Sequence, residues 1–193
     1  MRARPYRFPL GISLLAVCLI WSCEKIDLDE EEDNTVTTTS AVMPTSLGKG
    51  TQESPYPIDF VLRGKDGNGA ELTSAYNWYI GYVVGSTYST MRNPMFEAES
   101  SYTSNVLLSF NPTCQTTEEC VPLELPSATM QKAVSLYYNS DKFRSCIMVK
   151  ARFGQYFRTN GLRDTQEAYW LTGFDISMIN PTPPQWEEWD FTY

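Results

Sequence analysis

Histidine is absent from this chain of 193 residues, and its absence limits the chemistry that the sequence can perform. Without imidazole, proton transfer and nucleophilic attack fall to carboxylates, lysines, tyrosines and thiols. The pairs Glu118–Glu119 and Glu187–Glu188 are adjacent in sequence, so on a strand their side chains point apart. A retaining glycosidase needs two carboxyl groups about 5 Å apart in a groove. The sequence therefore predicts a protein that is not an enzyme.

Metal-ligand motifs are equally sparse. There is no Cys-x-x-Cys pair and no histidine, so the common zinc sites lack their ligands. The stretch KDGNGAE places Asp66, Asn68 and Glu71 in a glycine-rich segment whose spacing falls short of a calcium loop. We interpret it as a turn, and we expect neither a metal site nor a cofactor.

Side chains suited to binding a ligand are concentrated on one predicted strand and among the tyrosines. Cations and aromatics that leave the same side of a strand can stack single-stranded nucleic acid or sugars. The candidate ligand-binding residues are Lys150, Arg152, Tyr156, Arg158, Tyr79 and Tyr82. The alternative is that these charges only solvate the surface and that the tyrosines belong to the core.

The N-terminus has the three parts of an export signal: the basic MRARPYR, an apolar run from Phe8 to Trp21, and Ser22 before Cys23. The stretch IWSC resembles the lipobox of bacterial lipoproteins, and CEKIDLDEEED resembles the acidic export tag of Bacteroidetes surface lipoproteins. The resemblance implies acylation of Cys23 and an outer membrane lipoprotein that is exposed at the cell surface and held in the membrane by its lipid. The alternative is a cleaved secretory signal followed by an incidental cysteine.

The charge balance bears on possible partners. Removing residues 1–22 removes three arginines and no acid, which takes the net charge from −8 to −11. Such a field repels phosphate backbones at long range, although a local basic patch still acts within about 8 Å. Nucleic acid is therefore a less favoured partner than a glycan or a protein.

Three cysteines remain if Cys18 leaves with the signal and Cys23 is acylated. Cys114 and Cys120 bracket the loop QTTEE, and they form a possible disulfide if the compartment is oxidising. Cys146 would then be a spare thiol.

The pattern of apolar residues predicts five main strands and one helix. In the first strand, NWYIGYVVGS is apolar on both faces, and Gly81 and Gly85 would allow it to bend. In the fourth strand, Ile147, Val149 and Ala151 should point inward. The strands are predicted over residues 78–85, 104–110, 120–126, 145–157 and 167–179.

The helix is predicted in SATMQKAVSLYYN, between the third and fourth strands, with Ser127 as its N-cap. One face of this helix would carry Met130, Ala133, Val134 and Tyr137. Strands, one helix and further strands is the order of an OB-fold. We therefore predict an all-β protein, an OB-fold-like β-barrel with one short helix. The run after Pro57 fits either a helical turn or another short strand.

Five motifs in this order, GTQESPYPIDFVL, WYIGYVVGS, VPLELPS, VKARFGQYF and GLRDTQEAYWL, resemble an uncharacterised OB-like domain of Bacteroidales exported lipoproteins. The resemblance covers residues 50–171. It implies a fold, and it implies no substrate, cofactor or catalytic residue.

The chain is thus divided into four parts. Residues 1–22 are a signal peptide, 23–49 an acidic and Thr/Ser-rich tether, 50–179 the barrel, and 180–193 a proline-rich aromatic tail that packs on the barrel or on a partner. We predict a non-catalytic surface lipoprotein that binds a glycan, peptide or partner protein. The alternatives are a module that binds single-stranded nucleic acid or assists a nuclease, and a structural subunit of a surface assembly.

Overall fold

The structure is a computed structural model that describes residues 42–179. The predicted signal peptide, Cys23, most of the predicted tether and the aromatic tail lie outside these residues. Residues 42–49, the last part of that tether, are described. Their backbone bonds to the chain that follows, since Thr45 N donates to Glu53 O and Gly48 N donates to Pro55 O, each at 2.9 Å.

The described part is mostly β-structure with few helices. Between residues 42 and 179 there are six strands: β1 Tyr56–Pro57, β2 Tyr76–Ser86, β3 Asn105–Ser109, β4 Val121–Glu124, β5 Cys146–Tyr156 and β6 Thr159–Leu171. The same residues contain two α-helices, α1 Ile58–Arg63 and α2 Ala128–Val134, and short 3-10 helices at Thr117–Glu119, Ser140–Lys142 and Ile176–Met178.

The six strands form one mixed sheet whose pairings close a ring of five. Strand β2 pairs antiparallel with β3 on one edge and with β5 on the other. Strand β3 continues to β4, and β5 continues to β6, both antiparallel. A single parallel pair, Leu123 with Leu162, joins β4 to β6 and completes the ring. The two-residue strand β1 runs parallel to β2.

One hydrophobic cluster draws on every strand of the ring and on both helices. Its members include Tyr79, Leu108, Leu123 and Leu162 from four of the strands. The inward positions predicted for β5 are confirmed, because Ile147, Val149 and Ala151 belong to this cluster and are fully buried. This cluster is the core that the ring encloses.

A second hydrophobic cluster covers the other face of β2 and β5. Ile80, Val84 and Met148 are fully buried there, under side chains from the segments that follow β3 and β6. Because the strand is covered on both sides, both faces of the NWYIGYVVGS run are apolar.

The glycines of β2 permit two close approaches. A Cβ on Gly81 would lie 3.1 Å from Ile58 Cβ, so α1 packs directly over the strand. A Cβ on Gly85 would clash with the carbonyl oxygen of Met95. The register with β3 shifts between Val83 and Gly85, which is the β-bulge expected where a strand bends.

The predicted helix is present but shorter. Ser127 is its N-cap, as predicted, and its Oγ accepts a hydrogen bond from Met130 N at 3.1 Å. The helix ends at Val134, and Tyr137, expected on its apolar face, lies beyond the end and is 55% exposed. The run after Pro57 is helical, since it forms α1, and the short strand β1 lies just before it at Tyr56–Pro57.

The five predicted main strands are present, and the two-residue β1 adds a sixth strand at the edge of β2. One prediction about the bounds of the strands is wrong. The last strand was expected over 167–179, but β6 begins at Thr159 and ends at Leu171. The sequence does not reveal this early start, because β5 and β6 are joined by only two residues and neither is a glycine or asparagine that would mark a turn.

The described helices are all short. Among residues 42–179, none has both the length and the apolar character needed to cross a membrane.

The packing around Gly85 leads to the first prediction. Gly85→Ala should destabilise the protein by about 2 kcal/mol, because the new methyl group must displace the Met95 backbone. Chemical denaturation would measure the loss. Gly154→Ala in β5 is the matched control, since nothing lies within 4 Å of a Cβ at that position. Equal effects of the two substitutions would contradict this account.

Candidate functional site

The turn between β5 and β6 has an unusual backbone. It consists of Phe157 and Arg158, whose φ angles of 53° and 66° are both left-handed. Tight turns of this kind favour Asn-Gly, because side chains with a Cβ resist that conformation at a cost of about 1–2 kcal/mol per residue. The Phe157 ring stacks on Tyr156, with ring centroids 4.1 Å apart.

The connection between β2 and β3, residues 87–104, folds back on the end of β2. Ser86 and Met95 exchange both backbone hydrogen bonds, each at 2.9 Å. Thr87 Oγ1 donates to Thr90 O, and the Tyr88 and Tyr102 rings lie 5.8 Å apart. These contacts give the connection a fixed shape.

A cavity of about 530 Å³ opens between this connection and the β5–β6 turn. We call it the loop cleft, and its lining residues are Ser89, Thr90, Met91, Arg92, Phe157 and Arg158. The volume lies within the range of small-molecule sites. Among residues 42–179, neither Arg92 nor Arg158 has an acidic partner within 4.0 Å.

Asn105 links the two walls of the loop cleft. Tyr156 Oη donates to Asn105 Oδ1, and Asn105 Nδ2 donates to Tyr88 O at 2.8 Å. Tyr156 precedes the turn, whereas Tyr88 belongs to the connection. Asn105 is 2% exposed, so these hydrogen bonds are shielded from water. Burial, with a contribution from the Glu124 charge, raises the pKa of Tyr156 to about 12, so the phenol remains a donor.

Lys150 and Arg152 lie away from the loop cleft, on the outer face of β5. Lys150 Nζ is 2.9 Å from Glu167 Oε1 and 5.9 Å from the centre of the Trp78 ring. Arg152 lies 4.4 Å from the centre of the Tyr76 ring, and its nearest acid is Asp164 at 4.0 Å. We call these two cations, with Tyr76 and Trp78, the strand-face patch. Each of its two cations therefore lies within 4.0 Å of a carboxylate of β6.

The two other predicted ligand-binding residues are largely buried, and Tyr82 lines a separate cavity of about 480 Å³. Tyr79 is fully buried in the enclosed core. Tyr82 is 7% exposed, its hydroxyl donates to Asp175 Oδ1 at 2.8 Å, and it accepts from Ile176 N at 3.0 Å. Neither side chain offers a surface to a ligand that approaches the loop cleft or the strand-face patch.

The six predicted residues are therefore not brought together. Arg158 lines the loop cleft and Tyr156 supports it, while Lys150 and Arg152 form part of a separate patch.

Sequence reasoning missed Arg92, Phe157 and Asn105. No signal marks Arg92, which lies in an irregular connection. Asn105 had a weak signal, since it is a polar residue at the start of an apolar strand.

The glycine-rich segment after α1 is a turn, as its composition indicated. Asp66 Oδ1 accepts hydrogen bonds from Asn68 N and Ala70 N, both at 2.9 Å. The carboxylate thus closes its own loop. Among the described residues, no cluster of three or more side chains could hold a metal ion.

Comparison with known proteins identifies a family. Residues 68–171, more than half of the chain, match the Domain of unknown function (DUF6359). The chain belongs to this family. The DUF6359 segment runs from the loop before β2 to the end of β6, so it contains the whole loop cleft and Asn105. No curated protein and no solved structure matches the chain.

The match confirms that the chain contains a domain of unknown function, and it says nothing of an OB-fold or of exported lipoproteins. The DUF6359 match begins at Asn68, so the GTQESPYPIDFVL motif lies outside it. The family description assigns no function to the loop cleft.

The link through Asn105 generates the second prediction. Asn105→Ala should destabilise the DUF6359 domain by about 2–3 kcal/mol, because the Tyr156 hydroxyl loses its acceptor and the Tyr88 carbonyl loses its donor. Tyr156→Phe should cost about 1 kcal/mol, since it leaves the bond to Tyr88 intact. Urea denaturation would measure both. A larger effect of Tyr156→Phe than of Asn105→Ala would contradict the link.

The third prediction concerns alkaline pH. Burial is the main cause that raises the pKa values of Tyr79, Tyr82 and Tyr156 to about 12, from an ordinary value of 10. A raised pKa means that these phenols favour folding fully below pH 10, and that their contribution is lost as the pH rises toward 12. The free energy of unfolding should therefore fall between pH 10 and pH 12.

Ultraviolet titration of tyrosine ionisation would check this expectation. Three groups should titrate near pH 12, and Tyr156→Phe should leave two. Titration of all tyrosines near pH 10, with the fold intact, would contradict the burial of these phenols.

Proposed function

We propose that the DUF6359 domain of this chain is a non-catalytic, OB-type binding module whose loop cleft takes a glycan. If the five long strands are numbered one to five, the ring runs one, two, three, five, four. The helix α2 lies between the third and fourth of them. This connectivity supports an OB-type barrel.

The position of the loop cleft supports the same proposal. OB-folds bind oligonucleotides and oligosaccharides with the loop between strands one and two and the loop between strands four and five. In this chain the corresponding segments are the β2–β3 connection and the β5–β6 turn, which form the two walls of the cleft.

The observation that carries the proposal is the backbone of the β5–β6 turn. Phe157 and Arg158 both adopt left-handed φ angles, at a site where Asn-Gly would be less strained. Both residues line the cleft. Strain of this kind often accompanies a functional site, because a residue chosen for stability alone would avoid it.

The lining chemistry favours a sugar. Met91 and Phe157 give apolar surface for the C–H face of a sugar ring, and Ser89 and Thr90 give hydroxyl groups. The two guanidinium groups supply planar sets of donors for sugar hydroxyls. No carboxylate, thiol or lysine is among the six lining residues, which supports a binding role for the cleft in preference to glycoside hydrolysis by a carboxylate pair.

Nucleic acid is the alternative ligand, and two observations weigh against it. The cations on the ring strands lie near acids: Lys150 near Glu167, Arg152 near Asp164, and Arg163 near Glu124. The whole chain has a net charge of −8. A sugar-phosphate backbone would meet repulsion that a neutral glycan does not.

We also propose, from the sequence, that the module is an outer membrane lipoprotein anchored through Cys23 and exposed at the cell surface. A structural subunit of a surface assembly is the remaining alternative.

A turn replacement tests the function, as the fourth prediction. Phe157→Asn with Arg158→Gly should stabilise the protein by about 1 kcal/mol, because relief at two left-handed positions exceeds the loss of one aromatic stacking contact. The same variant should lose glycan binding at least tenfold. Glycan-array binding and urea denaturation would measure the two effects. A variant that keeps full binding would contradict the cleft as the site.

The strand-face patch provides the matched control. Lys150→Glu with Arg152→Glu reverses two charges away from the cleft, so glycan binding should change less than twofold. If this variant abolishes binding, the patch and not the cleft is the site. Binding of single-stranded DNA that weakens steeply between low and moderate salt would favour the nucleic-acid alternative.

A further inference from the structure

Two of the buried thiols face each other. Cys114 lies in the connection between β3 and β4, and Cys120 lies between the 3-10 helix Thr117–Glu119 and β4. Their Sγ atoms are 3.5 Å apart, and the two residues are 4% and 1% exposed. Both are free thiols in the structure. A small side-chain movement would bring the sulfurs to the bonding distance of about 2 Å.

We propose that Cys114 and Cys120 form a disulfide when the chain folds in an oxidising compartment, and that Cys146 stays a thiol. The proposal rests on the predicted export of the chain and not on the function of the loop cleft. Cys146 lies in the same hydrophobic cluster but has no sulfur hydrogen-bond partner among residues 42–179.

The oxidant is a protein or small-molecule disulfide of that compartment. The Cys114 thiolate attacks it, forms a mixed disulfide and releases one thiol. The Cys120 thiolate then attacks the Cys114 sulfur, which forms the internal bond and releases the second thiol. Two electrons and two protons pass from the cysteine pair to the oxidant.

The bond should form before the second hydrophobic cluster, which contains all three cysteines, is fully packed. Burial, followed by the proximity of Cys114, raises the pKa of the Cys120 thiol in the folded chain. Burial also raises the pKa of Cys146 to about 12. Because the thiolate is the attacking species, both groups are unreactive once the fold is complete. Oxidation is therefore expected to accompany folding and to be slow afterwards.

The bridge would fix the wall of a second cavity. A space of about 550 Å³ lies beside the loop cleft and shares Met91 and Arg92 with it. Residues 115–118, all within the ring that the bridge would close, line its other side. The disulfide would thus hold this wall in place without contributing a side chain to the cleft.

The fifth prediction identifies the bridge by differential labelling. The reduced, unfolded full-length chain is refolded with oxidised glutathione, then unfolded in denaturant without reductant so that buried thiols become accessible, and its free thiols are blocked with iodoacetamide. It is then reduced and treated with N-ethylmaleimide. Cys114 and Cys120 should carry the second label, and Cys146 the first. Before reduction, cleavage after Glu118 and Glu119 should leave two fragments that remain joined through sulfur.

Pairing of Cys114 or Cys120 with any of Cys18, Cys23 and Cys146 would overturn the proposal, as would the first label on both Cys114 and Cys120. Oxidant added after folding in reducing buffer should oxidise the pair at least tenfold more slowly than oxidant present during refolding.

Thermal unfolding provides an independent measurement. Reductant should lower the Tm of the oxidised protein by roughly 5 °C, because a ring of this size constrains the unfolded chain. Cys146→Ser should show the same loss, whereas Cys114→Ser with Cys120→Ser should show none. An equal effect of reductant on the last variant would overturn the proposal.

Discussion

Strand β2 is hydrogen-bonded along both edges, and this double pairing determines most of the fold. Tyr82, near its middle, lies opposite Ser109 of β3 and Cys146 of β5. With both edges satisfied, β2 has no free edge along this stretch to pair with another chain. The pairing curls the sheet so that one face encloses a core. The bulge between Val83 and Gly85 allows this curvature, and the connection that forms one wall of the loop cleft begins just after it.

The same arrangement explains why the outside of the ring is partly apolar. A strand paired on both edges still has a second face, and here that face is covered by the segments that follow β3 and β6. The Tyr82 hydroxyl bonds to Asp175 and to the Ile176 backbone, which holds the second segment in place. The first segment contributes Cys114 and Cys120 to the covering layer. Its proposed disulfide would stabilise a layer that lacks strand hydrogen bonds of its own.

The sequence predicted features that depend on local pattern, and it failed where partners come from distant segments. Alternation correctly placed Ile147, Val149 and Ala151 inward, and the N-cap at Ser127 was found from residue type alone. The start of β6 was missed because no common turn residue precedes it. On β5, Lys150 was placed on the outer face, but the register that sets Glu167 opposite it cannot be read from one strand. Asn105 is informative only once the β5–β6 turn is seen beside it.

The charge of the chain and the cations of the loop cleft both bear on the ligand proposed for the cleft. Net charge acts at long range and opposes a polyanion, whereas Arg92 and Arg158 act only within about one Debye length of the cleft. These two guanidinium groups, which have no acidic partner within 4.0 Å among residues 42–179, would donate hydrogen bonds to a neutral ligand. The net negative charge of the chain would not repel such a ligand, whereas it would repel a long phosphate chain. The Phe157 ring is consistent with this view, because it gives the apolar surface that a sugar face requires. A polyanion bound in the cleft that continued along the ring strands would pass the acids near Lys150 and Arg152. These acids would repel it.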